Sequence, residues 1–279
     1  MATTSHAVFP ASTSIPSTFS VYNNGFYSIL GSTPKLEVIL ENNDFPFAHE
    51  ASVYVPTTDE LFMSSNMYTD PVTNETSISI SKVNLTANPV TSEIINSTVP
   101  MPNGGVNHKG GILWTGQGTM NTTGGLWQMS AQPPYEAEFV VGDFYGRQFN
   151  SLNDVVIASD GSFWFTDPIY GWRQDIRPKP QLPAQVYRYD PTTQAVRVVA
   201  DGFGRPNGIS FSPDEKTVYV TDTAETDGDG SKDALKPATI YAFDLSTING
   251  QPFLTNRRVF AMPGDGIPDG LKVDQHGNV

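Results

Sequence analysis

Residues 201–223 read DGFGRPNGISFSPDEKTVYVTDT and contain one complete structural unit. Pro206 fixes φ ahead of Asn207, and Gly208 lets the backbone approach a neighbour closely. Ile209 and Phe211 alternate with Ser210 and Ser212, the period of a half-buried strand. Ser212-Pro213-Asp214 is turn chemistry. Residues 217–221, TVYVT, are β-branched and aromatic, which suits a second strand. The unit is a hairpin with a polar amide, Asn207, at the mouth of its first strand.

The unit recurs on both sides of this stretch. Asn153-Asp154 opens NDVVIASDGSFWFTDP, and Glu50 opens EASVYVPTTDELFMSSN. Gly104-Gly105 opens GGVNHKGGILWTGQG, and Asp269-Gly270 opens DGLKVDQHGNV. A β unit repeating at roughly 50 residues is the mark of a β-propeller, one blade per repeat. The innermost strand of each blade lines a central channel, so the residues opening those strands converge. Here they are Glu50, Asn153, Asn207 and Asp269, two carboxylates and two amides. Such an oxygen set suits a hard cation, and Ca²⁺ tolerates irregular oxygen geometry best. Mg²⁺ and Mn²⁺ are alternatives, and a Zn²⁺ site would ordinarily include histidine. Asn and Asp before Gly also form turns, but turn chemistry does not explain a glutamate in the same register.

Composition narrows the classes. Charged residues make up 16% and hydrophobic ones 38%, a globular balance. The net charge of −13 and the scattered Lys and Arg argue against a nucleic-acid partner and favour cations or neutral ligands. The absence of cysteine excludes disulfides, Cys-ligated zinc and thiol nucleophiles. The first 18 residues lack a basic start and apolar run, so no signal peptide is expected; a cytoplasmic site is favoured, with secreted relatives conceivable. No apolar run is long enough to cross a bilayer.

Residues 1–20 are Ser/Thr/Pro-rich and read as a flexible arm, with the propeller over 21–279. Short apolar runs at 26–30 and 36–40 read as a strand pair. Residues 168–183 form an aromatic, Pro-rich insert of the kind that carries function, with Tyr170 and Trp172 as candidate walls of a substrate pocket. His49, beside Glu50, and His108, near the second repeat, are further candidates for substrate contact. The acidic stretch 227–233 fails the EF-hand pattern and reads as a solvated loop. No G-x-S-x-G elbow is present. The last repeat stops at Val279 with one strand, so the expectation is a chain truncated within its last blades, its oligomeric state unknown.

The stretches HEASVYVP, FYGRQFNSLNDV, FTDPIYG, GRPNGISFSPDEKTVYVTDT and IPDGLKVDQHGNV resemble the gluconolactonase/regucalcin family (senescence-marker-protein and luciferin-regenerating-enzyme relatives). The wording around FYGRQFNSLND and QVYRYD is most similar to fungal-type lactonohydrolases. The resemblance implies a six-bladed propeller, a divalent metal that is usually Ca²⁺, and lactone hydrolysis. It places metal ligands on Glu50, Asn207 and Asp269, with Asn153 as a further ligand or substrate contact, and a general base on Asp269. The implied substrate is an aldonolactone or pantoyl-lactone type of ring. Ser151 stands where animal aldonolactonases carry an arginine, so their substrate preference does not transfer. The alternatives are a non-catalytic propeller binding protein or sugar, and a metal-dependent aryl or organophosphate esterase.

Overall fold

The computed structural model describes residues 19, 21, 23–264 and 266–279, so nearly all of the expected flexible arm lies outside the described residues. The chain forms two units, Met1–Glu41 and Asn42–Val279. In the first, residues 26–30 form a short helix, α1 (Phe26–Leu30), and 36–40 have no regular structure, which corrects the strand pair expected there. Asn23-Asn24-Gly25 makes a turn: the Asn23 side chain accepts from Gly25 N at 2.8 Å, and the turn runs on into one helical turn. Gly31, at φ 69°, ends it. An apolar run of five residues carries too few periods to tell helix from strand.

The second unit is all-β, as expected. Its strands are β1 (Glu50–Val55), β2 (Glu60–Ser64), β3 (Tyr68–Thr69), β4 (Thr76–Ser77), β5 (Ile80–Asn84), β6 (Thr91–Ile95), β7 (Pro102–His108), β8 (Gly111–Gly116), β9 (Gly125–Ser130) and β10 (Ala137–Val141). They continue with β11 (Asp143–Phe144), β12 (Arg147–Gln148), β13 (Val155–Ile157), β14 (Phe163–Asp167), β15 (Gln185–Asp190), β16 (Ala195–Ala200), β17 (Pro206–Phe211), β18 (Thr217–Asp222), β19 (Thr239–Ile248) and β20 (Gln251–Ala261). Among the described residues they build four four-stranded antiparallel sheets, in the orders β1-β2-β5-β6, β7-β8-β9-β10, β13-β14-β15-β16 and β17-β18-β19-β20, and two two-stranded ribbons, β3-β4 and β11-β12. The first strands adjoin in chain order, β1 against β7, β7 against β13 and β13 against β17. No described helix is long and apolar enough to cross a membrane.

Side-chain alternation along the second strand of each sheet explains the core. In β8, Ile112 and Trp114 face the first sheet with Val53, Phe62 and Ile80, while Leu113 faces the third sheet with Leu152 and Phe165. In β14, Phe163 and Phe165 pack toward the second sheet, and Trp164 toward the fourth with Ile209, Val218 and Val220. Both faces of these strands are covered, which is why GILWTG and FWFTD are buried along their whole length. The core is therefore a series of layers between consecutive sheets. Each fully buried large side chain contributes about 1.5–3 kcal/mol, and the layers fix the first strands against one another.

Candidate functional site

The four sheets present their opening residues to one cavity of about 170 Å³, lined among others by Glu50, Asn103, Gln117, Asn153, Tyr170, Asn207 and Asp269. Glu50, Asn153, Asn207 and Asp269, nearly 220 residues apart at the extremes, are thus brought together as expected. Asn103 joins them and was not expected: the second repeat opens at Pro102-Asn103-Gly104, one residue before the Gly104-Gly105 read from the sequence. The signal was present in the sequence, since Pro206-Asn207-Gly208 and Pro268-Asp269-Gly270 have the same form.

A repeated hydroxyl device aligns these openings. Ser64 Oγ, at the end of β2, donates to the Asn103 carbonyl at 2.9 Å. Thr115 Oγ1 donates to the Asn153 carbonyl at 2.6 Å, Thr166 Oγ1 to that of Asn207 at 2.6 Å, and Thr221 Oγ1 to that of Asp269 at 2.7 Å. Each sheet thereby holds the opening residue that follows it; residues 269–279 form no strand, which corrects the strand expected for the last repeat. Thr166 Oγ1 also accepts from Asp154 N, and Thr221 Oγ1 from Gly208 N. The glycine after the opener is required by the same closeness: a Cβ on Gly208 would lie 2.6 Å from Leu271 N and 2.7 Å from the Asp269 carbonyl.

The strand register slips immediately after three of the openings, between Glu50 and Val53, Pro102 and Gly105, and Pro206 and Ile209. Bulges of this kind re-aim a side chain out of the alternating pattern. In β1 the slip puts Ala51 at φ 70° and Ser52 at φ 52°, a conformation that costs about 1–3 kcal/mol per residue. The strain sits beside Glu50.

The resulting site holds acceptors that nothing in the protein satisfies. Asn103, Asn153 and Asn207 are 8%, 3% and 3% exposed, and the Oδ1 atom of each is buried without a hydrogen-bond partner. Burial pushes the Glu50 carboxyl up to about 8, with the charges of Asp269 and then Asp154 adding to the effect and Lys272 opposing it. Lys272 Nζ is 3.4 Å from Asp154 Oδ2, just below the cavity. Asp269 is exposed at the rim. Orphaned amide oxygens beside crowded carboxylates are the donor chemistry of a hard-cation site. No group of three or more His, Asp or Glu side chains forms a metal cluster among the described residues, so the fit rests on carboxylates together with amides.

The remaining expected contacts divide. His49 lines the cavity, its Nε2 3.7 Å from Glu50 Oε1. Tyr170, at the start of α2 (Tyr170–Arg173), also lines it; burial raises its hydroxyl to about 12, against the pull of hydrogen bonds to Asn207 and Thr223. His108 lies at the opposite end of β7, where Nδ1 meets Gln128 Oε1 at 2.6 Å and the ring packs on Phe163. Trp172 is outside the lining and stacks with the Arg173 guanidinium at 5.0 Å. The insert is fastened by Arg177, buried and donating to the carbonyls of Asn150, Thr119, Thr122 and Phe149 and to Gln148 Oε1. The acidic loop is exposed over 228–233, with Gly228 also lining the cavity, while Asp227 is half-buried and bridges Arg205 and Arg173.

The SMP-30/Gluconolactonase/LRE-like region matches residues 72–279. The chain belongs to this family. Lactonohydrolase oryL of Aspergillus oryzae is 31% identical, over 93% of this chain and 62% of its own length. The gluconolactonase of Zymomonas mobilis is 33% identical over 50% of this chain and 38% of its own. This SMP-30/gluconolactonase-like chain therefore spans less than two thirds of those relatives. Among solved structures, the gluconolactonase XC5397 of Xanthomonas campestris superposes with a TM-score of 0.61 at 26% identity, covering 84% of this chain and 69% of that one.

Proposed function

We propose that the four sheets are successive blades of a six-bladed β-propeller and that the cavity at their openings is the active site of a cation-dependent lactonase. The reaction would open rings of the aldonolactone or pantoyl-lactone type to hydroxy acids. The observation that carries the reading is the oxygen cluster: buried, unpartnered Oδ1 atoms of Asn153 and Asn207 lining one cavity with the carboxylates of Glu50 and Asp269. The names of the lactonohydrolase and gluconolactonase relatives support it.

Glu50, Asn153, Asn207 and Asp269 would hold the cation, and Ca²⁺ suits their irregular mixture of carboxylate and amide oxygens better than Mg²⁺ or Mn²⁺. Zn²⁺ fits least, because among the described residues His49 is the one imidazole lining the cavity. The bound ion supplies Lewis-acid stabilisation of the negative charge that grows on the carbonyl oxygen. Asp269, at the solvent rim, takes the proton of the attacking water. Asn153 and His49 contact the polar side of the substrate. Tyr170 packs against its ring and excludes water from that wall.

Acid release from a panel of aldono-, pantoyl and aryl lactones, with and without chelator, tests the reading. Turnover with Ca²⁺, lost to chelator and restored by the ion, is expected. Asp269→Asn should keep calcium binding and lower kcat about 10²-fold or more. Calcium should raise the melting temperature of the wild type by mass action and not that of Glu50→Gln. Chelator-insensitive turnover, or a Glu50→Gln variant that responds to calcium as the wild type does, overturns the assignment.

A further inference from the structure

A second cavity, also of about 170 Å³, shares His49 and Glu50 with the first and adds Asp154 and Lys272 to its lining. Neither Asp154 nor Lys272 has a part in the reaction proposed above. Asp154 is 7% exposed and fully engaged. Its Oδ1 accepts from Val155 N at 2.8 Å, and its Oδ2 from Ile209 N at 3.1 Å and Lys272 Nζ at 3.4 Å. One carboxylate therefore ties the third opening to β17, two residues past Asn207, and to the strandless segment that carries Asp269. The fourth sheet holds the same segment through Thr221 Oγ1 on the Asp269 carbonyl and Thr223 Oγ1 on the Pro268 carbonyl. The charge balance is one-sided. Glu50, Asp154 and Asp269 bring three carboxyls to the two cavities, and among the described residues Lys272 is the one ammonium or guanidinium in either lining. It also opposes the rise of the Glu50 carboxyl that burial, Asp269 and Asp154 cause. Its side chain is 64% exposed, so the ammonium reaches Asp154 while keeping much of its hydration.

We infer, resting on the proposed cation site, that the Lys272 ammonium is a built-in counter-ion: before the cation binds it holds the carboxyls of Glu50, Asp154 and Asp269 together, and once the cation is bound it limits the affinity by repelling it. The two roles have opposite signs. A neutral side chain at 272 leaves the crowded carboxyls without an opposing charge, which weakens the cation-free fold. The same change removes a like charge from beside the incoming cation, which tightens binding. A purely structural brace would move both in one direction, since loosening the Asp269 segment only costs affinity. Lys272 touches neither substrate nor cation and acts through the carboxyls, as a positioning residue.

The test titrates Ca²⁺ by calorimetry into chelator-stripped wild type, Lys272→Met and Lys272→Arg, and reads the melting temperature of each in chelator. The titrations are run at about pH 9, above the value of about 8 for the Glu50 carboxyl, so that proton release from it contributes little. Lys272→Met should melt lower than the wild type in chelator and bind Ca²⁺ about threefold to tenfold more tightly. That gain should shrink at about 1 M potassium chloride, where charges this exposed are screened. Lys272→Arg keeps the charge and should match the wild type in both readouts. Asp154→Asn removes a carboxylate instead, and should weaken Ca²⁺ binding where Lys272→Met strengthens it. A Lys272→Met protein that melts no lower in chelator, or binds calcium no more tightly than the wild type, overturns the counter-ion, and so does a Lys272→Arg protein that behaves like Lys272→Met. If the wild type binds no calcium, yet Lys272→Met melts lower in chelator and Lys272→Arg does not, the cation reading fails and Lys272 stands as the counter-ion of the cluster.

Discussion

The second and fourth sheets open on the same tripeptide, Pro102-Asn103-Gly104 and Pro206-Asn207-Gly208, in the same register and before the same slip, yet they hold it differently. Opposite Pro206 stands Asp222, whose carboxylate accepts from Gly204 N at 3.0 Å and Arg205 N at 2.8 Å. The third sheet repeats this: Asp167 accepts from Asn150 N at 2.9 Å and Ser151 N at 2.8 Å. Opposite Pro102 stands Gly116, which has no side chain, and the approach to Asn103 is tied by backbone bonds from Gln117 N to Met101 O and from Gly118 N to Pro100 O. The residue corresponding to Gly204 and Asn150 is Pro100, which has no N–H to give. The carboxylate and the donor it would serve are missing together. The fourth sheet shares the first of these rungs, Thr223 N to Arg205 O at 3.0 Å, so the difference is that the second opening has a further backbone rung to Pro100 O where the fourth has a carboxylate anchor.

The largest effect should come from removing an anchor. Asp222 is fully buried, so Asp222→Ala strands two backbone N–H groups and should cost about 3–5 kcal/mol. Transplanting the anchor should fail: Gly116→Asp meets a single candidate donor, Met101 N, and buries a carboxylate that Pro100 cannot serve. Urea denaturation of both variants measures the costs. A Gly116→Asp protein as stable as the wild type would show that the two arrangements are interchangeable.

The anchor in the third sheet carries a pH signature. Burial raises the Asp167 carboxyl to about 7, although the two backbone N–H bonds and the charge of Arg177 pull it down. A carboxyl raised in the folded state favours the protonated form, so its contribution is full below about 4 and is lost as the pH climbs through about 7. Asp167→Asn keeps the neutral shape and cannot ionise. The deficit of this variant relative to the wild type should therefore shrink between pH 5 and pH 8, read from urea midpoints. A deficit independent of pH would mean that the carboxylate stays ionised throughout.

This contrast also explains what was legible in the sequence. Alternation in Ile209 and Phe211 and the continuous runs FWFT and VYVT declared the strands, because strands covered on both faces must be apolar on both. The second strands of the Asn153 and Asn207 units both end in threonine and aspartate. Gly116 gives no such mark, and Gly104-Gly105 drew the boundary one residue late, so Asn103 was passed over. Gln117 was invisible for another reason: its orientation comes from Ser151, 34 residues away, through a hydroxyl with no local pattern. His108 lies away from the cavity because nearness in sequence to an opening is not nearness in space along a strand. Five residues along an extended strand from Asn103 is about 17 Å, at the far end of β7. Trp172 lies outside the lining because a side chain two residues beyond Tyr170 on a helical turn, about 200° round the axis, points elsewhere.

The hydroxyl device tests the junctions between sheets at a smaller scale. Thr166→Val keeps the shape but removes the donor to Asn207 O and the acceptor for Asp154 N. It should cost about 1–2 kcal/mol and should reduce the calcium-dependent gain in melting temperature, because Asn207 is then held less firmly. Ser64→Ala removes the donor to Asn103 O. It should cost a similar amount while leaving the calcium gain in place, since Asn103 is outside the proposed cation ligands. If both variants lower the calcium gain equally, the exclusion of Asn103 from the cation ligands is wrong.

The smallest effect is expected at Gly116 itself. A Cβ there would lie 3.1 Å from the Pro100 carbonyl and 3.1 Å from Cδ1 and Nε1 of Trp127. Contacts that tight require the neighbours to yield by a few tenths of an ångström, at a cost of about 1–2 kcal/mol in a packed interior. Against this, alanine restricts the unfolded chain and returns about 0.4–1 kcal/mol. The net loss for Gly116→Ala should be about 1 kcal/mol or less, seen as a small fall in the urea midpoint with an unchanged slope. The backbone ladder through Met101 and Pro100 should survive. A loss of several kcal/mol would mean that the ladder tolerates no displacement at all, and that the second opening is the more rigid of the two.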